Sequence, residues 1–162
     1  MIGAGGGLLL IILLLLFSAV FGGNKNQSLL EVAQAQQELI RVSTLGASKT
    51  SSAAARNLAV TTKLTIETNQ KEMIDQLKKQ GQKTNTKLLD AKKNTQTDAT
   101  LTQAAQDNRY DEIFTQQVQQ QLMDYQQQLK AAYDGTSSKS LKQLLNNEFA
   151  EAGLLIKSSK SS

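Results

Sequence analysis

The sequence predicts an all-α protein in which an N-terminal transmembrane helix precedes an antiparallel four-helix bundle. Three observations predict it. Ile2 to Phe21 is an uncharged apolar run closed by Gly22-Gly23. The 162 residues contain no proline, and Gln, Ala, Leu and Lys are plentiful after the run, a composition that favours long helices. Four later stretches repeat apolar residues at three-to-four spacing, the period of one helix face. No such stripe holds a helix in water alone, so the four stripes must cover each other.

The run comes first. Leu8, Leu9, Leu10, Ile11, Ile12, Leu13, Leu14, Leu15 and Leu16 are unbroken, and Phe17, Val20 and Phe21 extend them. Crossing the hydrocarbon core takes about 20 apolar residues rising about 1.5 Å each. The run reaches that length only with Gly3, Gly5, Gly6 and Gly7 included. A cleaved signal peptide needs a basic start and a small-x-small site. No Lys or Arg precedes this run, and Val20-Phe21-Gly22 is a poor site. The expectation is therefore a retained anchor over residues 1–23, with a cleaved signal or a buried core helix as rivals. The missing basic residues point to a start inside a longer reading frame. Lys25 after the run is a small bias toward a cytoplasmic bundle.

The bundle is expected over 24–157. Ser28-Leu29-Leu30-Glu31 fits a capping box, and Leu29, Val32, Ala33, Gln36, Leu39, Ile40 and Ser43 form the first face. This helix should end near Leu45-Gly46. A second helix follows a cap at Thr50 or Ser51 and stops at Gly81, facing inward with Ala55, Leu58, Ala59, Thr62, Ile66, Met73, Ile74 and Leu77. Gln82 to Asp107 reads as a connector with short helices near Thr86–Lys93 and Ala99–Gln106. Asp107 or Asn108 should cap the third helix, which runs to about Tyr133. Its face is Tyr110, Ile113, Phe114, Val118, Gln121, Leu122, Tyr125, Leu129 and Ala132. The fourth spans about Ser138 to Lys157, with Leu141, Leu144, Leu145, Glu148, Phe149, Ala152, Leu155 and Ile156 inward. Residues 158–162 read as a disordered tail.

Composition narrows the chemistry. With no His and no Cys, the usual bases and the thiol nucleophile are missing, and no strand–loop–helix phosphate motif occurs. No catalytic residue and no cofactor is expected. Lys78, Lys79, Lys83, Lys87, Lys92 and Lys93 form the one basic concentration. Lysines there complement the end of the second helix; the sharper reading is contact with an anionic lipid or wall polymer. No aromatic residue interleaves with them, which argues against nucleic acid. The Gln-rich third helix is a neutral solvated face or a surface for a partner helix.

Glu38-Leu39, Gly46, Ala53 to Leu58, Gln80-Gly81, Tyr110-Asp111, Tyr125 and Ser140-Leu141-Lys142 carry a resemblance. In their order and spacing the chain resembles a ferritin-like, envelope-located bacterial four-helix family of undefined function. The resemblance covers Ser28 to Lys157 and implies an exported bundle on a single-pass anchor. Members often carry His at places filled here by residues such as Asn69, Tyr125 and Ala150, so no role of those His residues carries over. Ferritin-like di-metal centres need inward Glu and Glu-x-x-His pairs. The available carboxylates are Glu38, Glu67, Glu148 and Glu151, an all-oxygen set suited to a hard cation. The plainer reading makes them partners of nearby lysines, with Glu148 the exception on an apolar stripe. The expected function is a non-enzymatic, membrane-anchored bundle with a structural or binding role. A degenerate metal-binding or redox protein and a subunit of a helical assembly, with a protein partner or a second copy, are the alternatives.

Overall fold

The computed structural model describes residues 25–160, and all regular structure among them is helical. Helix α1 is Lys25–Lys49 and α2 is Ala53–Lys79. A crossover carries α3 (Thr86–Leu89), a 3₁₀ turn (Asp90–Lys92) and α4 (Thr95–Gln106). Helices α5 (Tyr110–Gly135) and α6 (Lys139–Ser159) complete the described chain. The expected span Ile2–Phe21 and the boundary at residue 23 lie outside the described residues, as do 161 and 162. Among the described residues no helix is long and apolar enough to cross a membrane.

The four long helices share one core. Helix α1 packs on α2 and α5, α5 packs on α6, and α2 closes the ring against α6. Their directions follow from which ends meet. Ser28 and Leu29 of α1, Gln76 and Gln80 of α2, Ala132 and Gly135 of α5, and Leu141 of α6 line one cleft of about 220 Å³. This is the entry end, where α1 and α6 begin and α2 and α5 finish. At the far end the Asp111 carboxylate accepts hydrogen bonds from the N–H groups of Ser51 (2.9 Å) and Ser52 (2.6 Å). Neighbours in the ring therefore run antiparallel. Leu29, Leu39, Ile66, Met73, Phe114, Leu122, Leu129 and Leu145 are among the side chains that fill the centre. Each such burial is worth about 1.5–3 kcal/mol before chain entropy is subtracted.

Local chemistry explains the element ends. Ser52 caps α2, its Oγ accepting from the Ala55 N–H at 3.2 Å, one residue later than the expected Thr50 or Ser51. Thr50 is instead buried, its hydroxyl donating to the Gly46 carbonyl. Gly81 ends α2 as expected, at φ +77°. The Gly81 N–H donates to Lys78 O and the Gln82 N–H to Leu77 O, both at 2.9 Å, which is a Schellman closure.

Five further expectations need correction. Ser28 is not an N-cap, because the chain is already helical at Lys25; nothing in Lys25-Asn26-Gln27 breaks a helix. Gly46 does not stop α1, which continues to Lys49. Its bare Cα is needed for packing: a Cβ there would sit 2.1 Å from Phe114 Cε2. Neither Asp107 nor Asn108 caps α5. Asp107 closes α4, Asn108 adopts a left-handed φ of 55°, and Arg109 is the N-cap without a side-chain bond. Asn tolerates that conformation better than most residues, so α4 turns into α5 with almost no loop. Phe149 is 40% exposed, because the inward stripe of α6 is narrower and runs Leu141, Leu145, Glu148, Ala152, Leu155. Helix α6 also continues to Ser159, which is buried, two residues into the stretch expected as tail.

Candidate functional site

Three inward polar residues from three helices meet at mid-height of the core. Gln36 of α1, Tyr125 of α5 and Glu148 of α6 are 0%, 0% and 1% exposed. The Tyr125 hydroxyl donates to Glu148 Oε2 at 2.6 Å. Gln36 Nε2 donates to the Tyr125 oxygen at 2.8 Å and to the same Glu148 oxygen at 3.0 Å. Both amide hydrogens of Gln36 are thus used. Gln36 Oε1 and Glu148 Oε1 are buried without a hydrogen-bond partner among the described residues.

The fourth long helix approaches through Asn69, also buried, whose Nδ2 donates to Glu151 Oε2 at 2.9 Å. Glu151 lies one turn beyond Glu148 on α6 and is exposed. Among the described residues no cationic side chain joins the network. Burial therefore pushes the Glu148 carboxyl up to about 8; the Tyr125 and Gln36 bonds act the other way, and the charges of Glu72 and Glu151 push it further up. Burial likewise raises the Tyr125 phenol, and Glu148 adds to it. At neutral pH the centre is a hydrogen-bonded set of uncharged groups. It can hold and exchange a proton, but it presents no base at its ordinary strength.

The four carboxylates considered for a cation do not converge. Glu38 is held by Arg41 on its own helix, at 2.7 and 2.8 Å. Glu67 faces Lys63 at 3.8 Å. Glu148 and Glu151 are adjacent on α6, but only Glu148 is buried. Among the described residues no group of three or more His, Cys, Asp or Glu is gathered to hold a metal. The inward polar residues at mid-height are Gln36, Asn69 and Tyr125 beside Glu148, a set that lacks the several inward carboxylates and His that a di-metal bundle centre uses.

Arg41 builds a second cluster that the sequence left unseen. Besides Glu38 it donates to the Asp98 carboxylate on α4, and the Glu38 contact chiefly raises its already high pKa. Gln34 donates to the Leu88 carbonyl at 2.8 Å and Gln37 to Asp90 at 2.9 Å. One face of α1 is thus laced to the crossover along α3, the 3₁₀ turn and α4. Alternating Gln and charge on α1 was the available signal; its partners were not, because they lie more than fifty residues away.

The lysines separate into two groups. Lys78 and Lys79 occupy the last turn of α2 and, with Lys83 and Lys87, are exposed near the entry end. Lys78 pairs weakly with Asp75 at 3.4 Å. Lys93 is exposed farther along the crossover. Lys92 is half-buried, and burial lowers its pKa although Glu31 opposes the shift. No family model matches the chain, and neither a curated protein nor a solved structure matches it.

Proposed function

We propose that this chain is a membrane-tethered helical bundle of the bacterial cell envelope that acts by binding or structural contact and not by catalysis. One observation carries the reading. The uncharged run Ile2 to Phe21 leads, through Gly22, Gly23 and Asn24, into a helix already formed at Lys25. Such a run is long enough to span a bilayer, and its short linker keeps the entry end of the bundle beside the lipid. Two further features support the reading. A chain without His or Cys has few means of nucleophilic or acid–base chemistry at neutral pH. The buried Glu148 carboxyl is enclosed by Tyr125 and Gln36, away from the open cleft at the entry end.

Two antiparallel helix pairs joined by a single long crossover is a connectivity that ferritin-like bundles use; the exported placement is what that resemblance implies. The test is extraction. Full-length chain in a bacterial membrane fraction should stay in the pellet through high-salt and carbonate washes, and deletion of residues 2–23 should release it. Release of the intact chain by carbonate would overturn the tether.

A further inference from the structure

Charge is not evenly divided between the two ends of the bundle. The buried network of Gln36, Tyr125 and Glu148 marks its mid-height. The far half, residues 38–65, 94–121 and 148–160, contains equal numbers of acidic and basic residues. The formal net charge of +4 therefore falls in the entry half, and a protonated Glu148 leaves the far half with a single excess positive charge. The linear sequence shows the lysines of residues 78–93 as one concentration; the fold shows which end of the bundle its first members share. That placement arises because α1 and α2 are antiparallel, which returns the basic end of α2 to the level where α1 begins. Lys78, Lys79, Lys83 and Lys139 are all exposed there.

We propose that the entry end of the bundle is a docking surface for the anionic headgroups of the same bilayer that holds the apolar run. The proposal rests on the tether reading and deepens it by naming the surface and its partner. Its first support is charge complementarity, since a lysine near an anionic leaflet gains from the surface potential within about 10 Å. The second is position: the chain enters α1 at this end from a run of membrane-spanning length, so these lysines are carried to the headgroups. Only Gly22, Gly23 and Asn24 separate the apolar run from the start of α1, so the basic end stays within reach of the headgroups. Docking fixes the bundle upright and leaves the far end, with Asp111 and the α1–α2 loop, directed away from the lipid.

The test uses full-length chain in vesicles. The protein lacks Cys, so Ser137→Cys places a single fluorophore at the entry end and Asn57→Cys places one on α2 toward the far end. In phosphatidylglycerol-containing vesicles, headgroup-attached quenchers should quench the first label and spare the second, and added salt should relieve the quenching. Lys78→Gln, Lys79→Gln and Lys83→Gln should weaken contact by about fivefold per lysine, and the three changes to Glu should abolish it with the melting transition retained. Equal, salt-independent quenching in neutral phosphatidylcholine vesicles would overturn the proposal, as would triple variants that behave like the parent. Relief of quenching by an added anionic wall polymer at constant ionic strength would assign the surface to that polymer instead. Loss of the chain from neutral vesicles at high salt would remove the tether reading alone; salt-sensitive quenching on anionic vesicles would then still support the docking surface.

Discussion

At the scale of single residues, the buried carboxyl of Glu148 governs how the bundle responds to pH. Its folded pKa of about 8 lies above the ordinary value of 4.5, chiefly through burial. Between those values the folded chain keeps a proton that the unfolded chain has lost. Stability must therefore fall as pH rises from about 4.5 to about 8, and level off above. Half-buried Asp124 is also raised by burial and adds a slope of the same sign, so the comparison needs a variant. Glu148→Gln keeps an acceptor for Tyr125 and Gln36 while removing the charge. Urea unfolding at pH 5 and pH 8 should show the variant within about 1 kcal/mol of the parent at pH 5 and a few kcal/mol more stable at pH 8. Equal slopes would mean that Glu148 is ionised throughout. Each member of this network stood on an expected inward stripe, except Asn69. What periodicity left open was their meeting: three polar side chains on three stripes reach each other only if the helices are in one particular register. Asn69 itself was legible by spacing, three residues after Ile66 and four before Met73. It is accommodated because Glu151 accepts its hydrogen bond.

At the scale of elements, sequence signals worked where they describe the local backbone and failed where tertiary contact decides. Gly81 closes α2 because its positive φ serves a local Schellman turn. Gly46 carries the same residue type and does the opposite, letting the Phe114 ring approach α1. In a solvent-exposed helix, Gly→Ala gains about 1 kcal/mol. Gly46→Ala should instead lower stability by about 1–3 kcal/mol, since the ring must shift to admit the methyl group. Thermal melts of Gly46→Ala and Gly81→Ala, beside Gly135→Ala where a Cβ meets nothing within 4 Å, would separate packing from conformation: the first loses stability by crowding, the second by strain at positive φ, and the third changes little. The crossover offers a second prediction. Its hold on α1 is largely polar, through Arg41, Gln34 and Gln37, with Leu89 and Leu101 as its large buried apolar side chains. Arg41→Ala removes paired bonds to Glu38 and the link to Asp98, a loss of about 1–2 kcal/mol at this partly exposed site. Amide exchange over residues 94–106 should quicken while α1 and α5 stay protected. Uniform acceleration across all helices would show that α4 belongs to the global folding unit.

At the scale of the whole molecule, the chain consists of two antiparallel pairs, α1 with α2 and α5 with α6, meeting mainly along α1 and α5. The helical class and most of the inward face of each long helix were readable from composition and spacing, because burying an amphipathic stripe leaves few solutions. The ring order was not readable, since a connector of about thirty residues lets the second pair dock in either direction. The Asp111 contact with Ser51 and Ser52 and the polar lacing of the crossover show the direction taken. This arrangement makes the covalent link between the pairs dispensable once the core has formed. Phe114, Val118, Leu122 and Tyr125 are fully buried on a helix that packs against α1, and cutting the backbone at the exposed segment after Gly81 removes none of those contacts. A protease site inserted between Lys83 and Thr84 should therefore yield two fragments that co-elute as one particle in native buffer and separate in urea. The cost should appear in concentration dependence, because closing the bundle becomes bimolecular and loses the proximity that the crossover supplied. If the fragments instead part in native buffer, the seam of α1 with α5 is too weak to hold the pairs together. The crossover would then be the strap on which the four-helix arrangement depends.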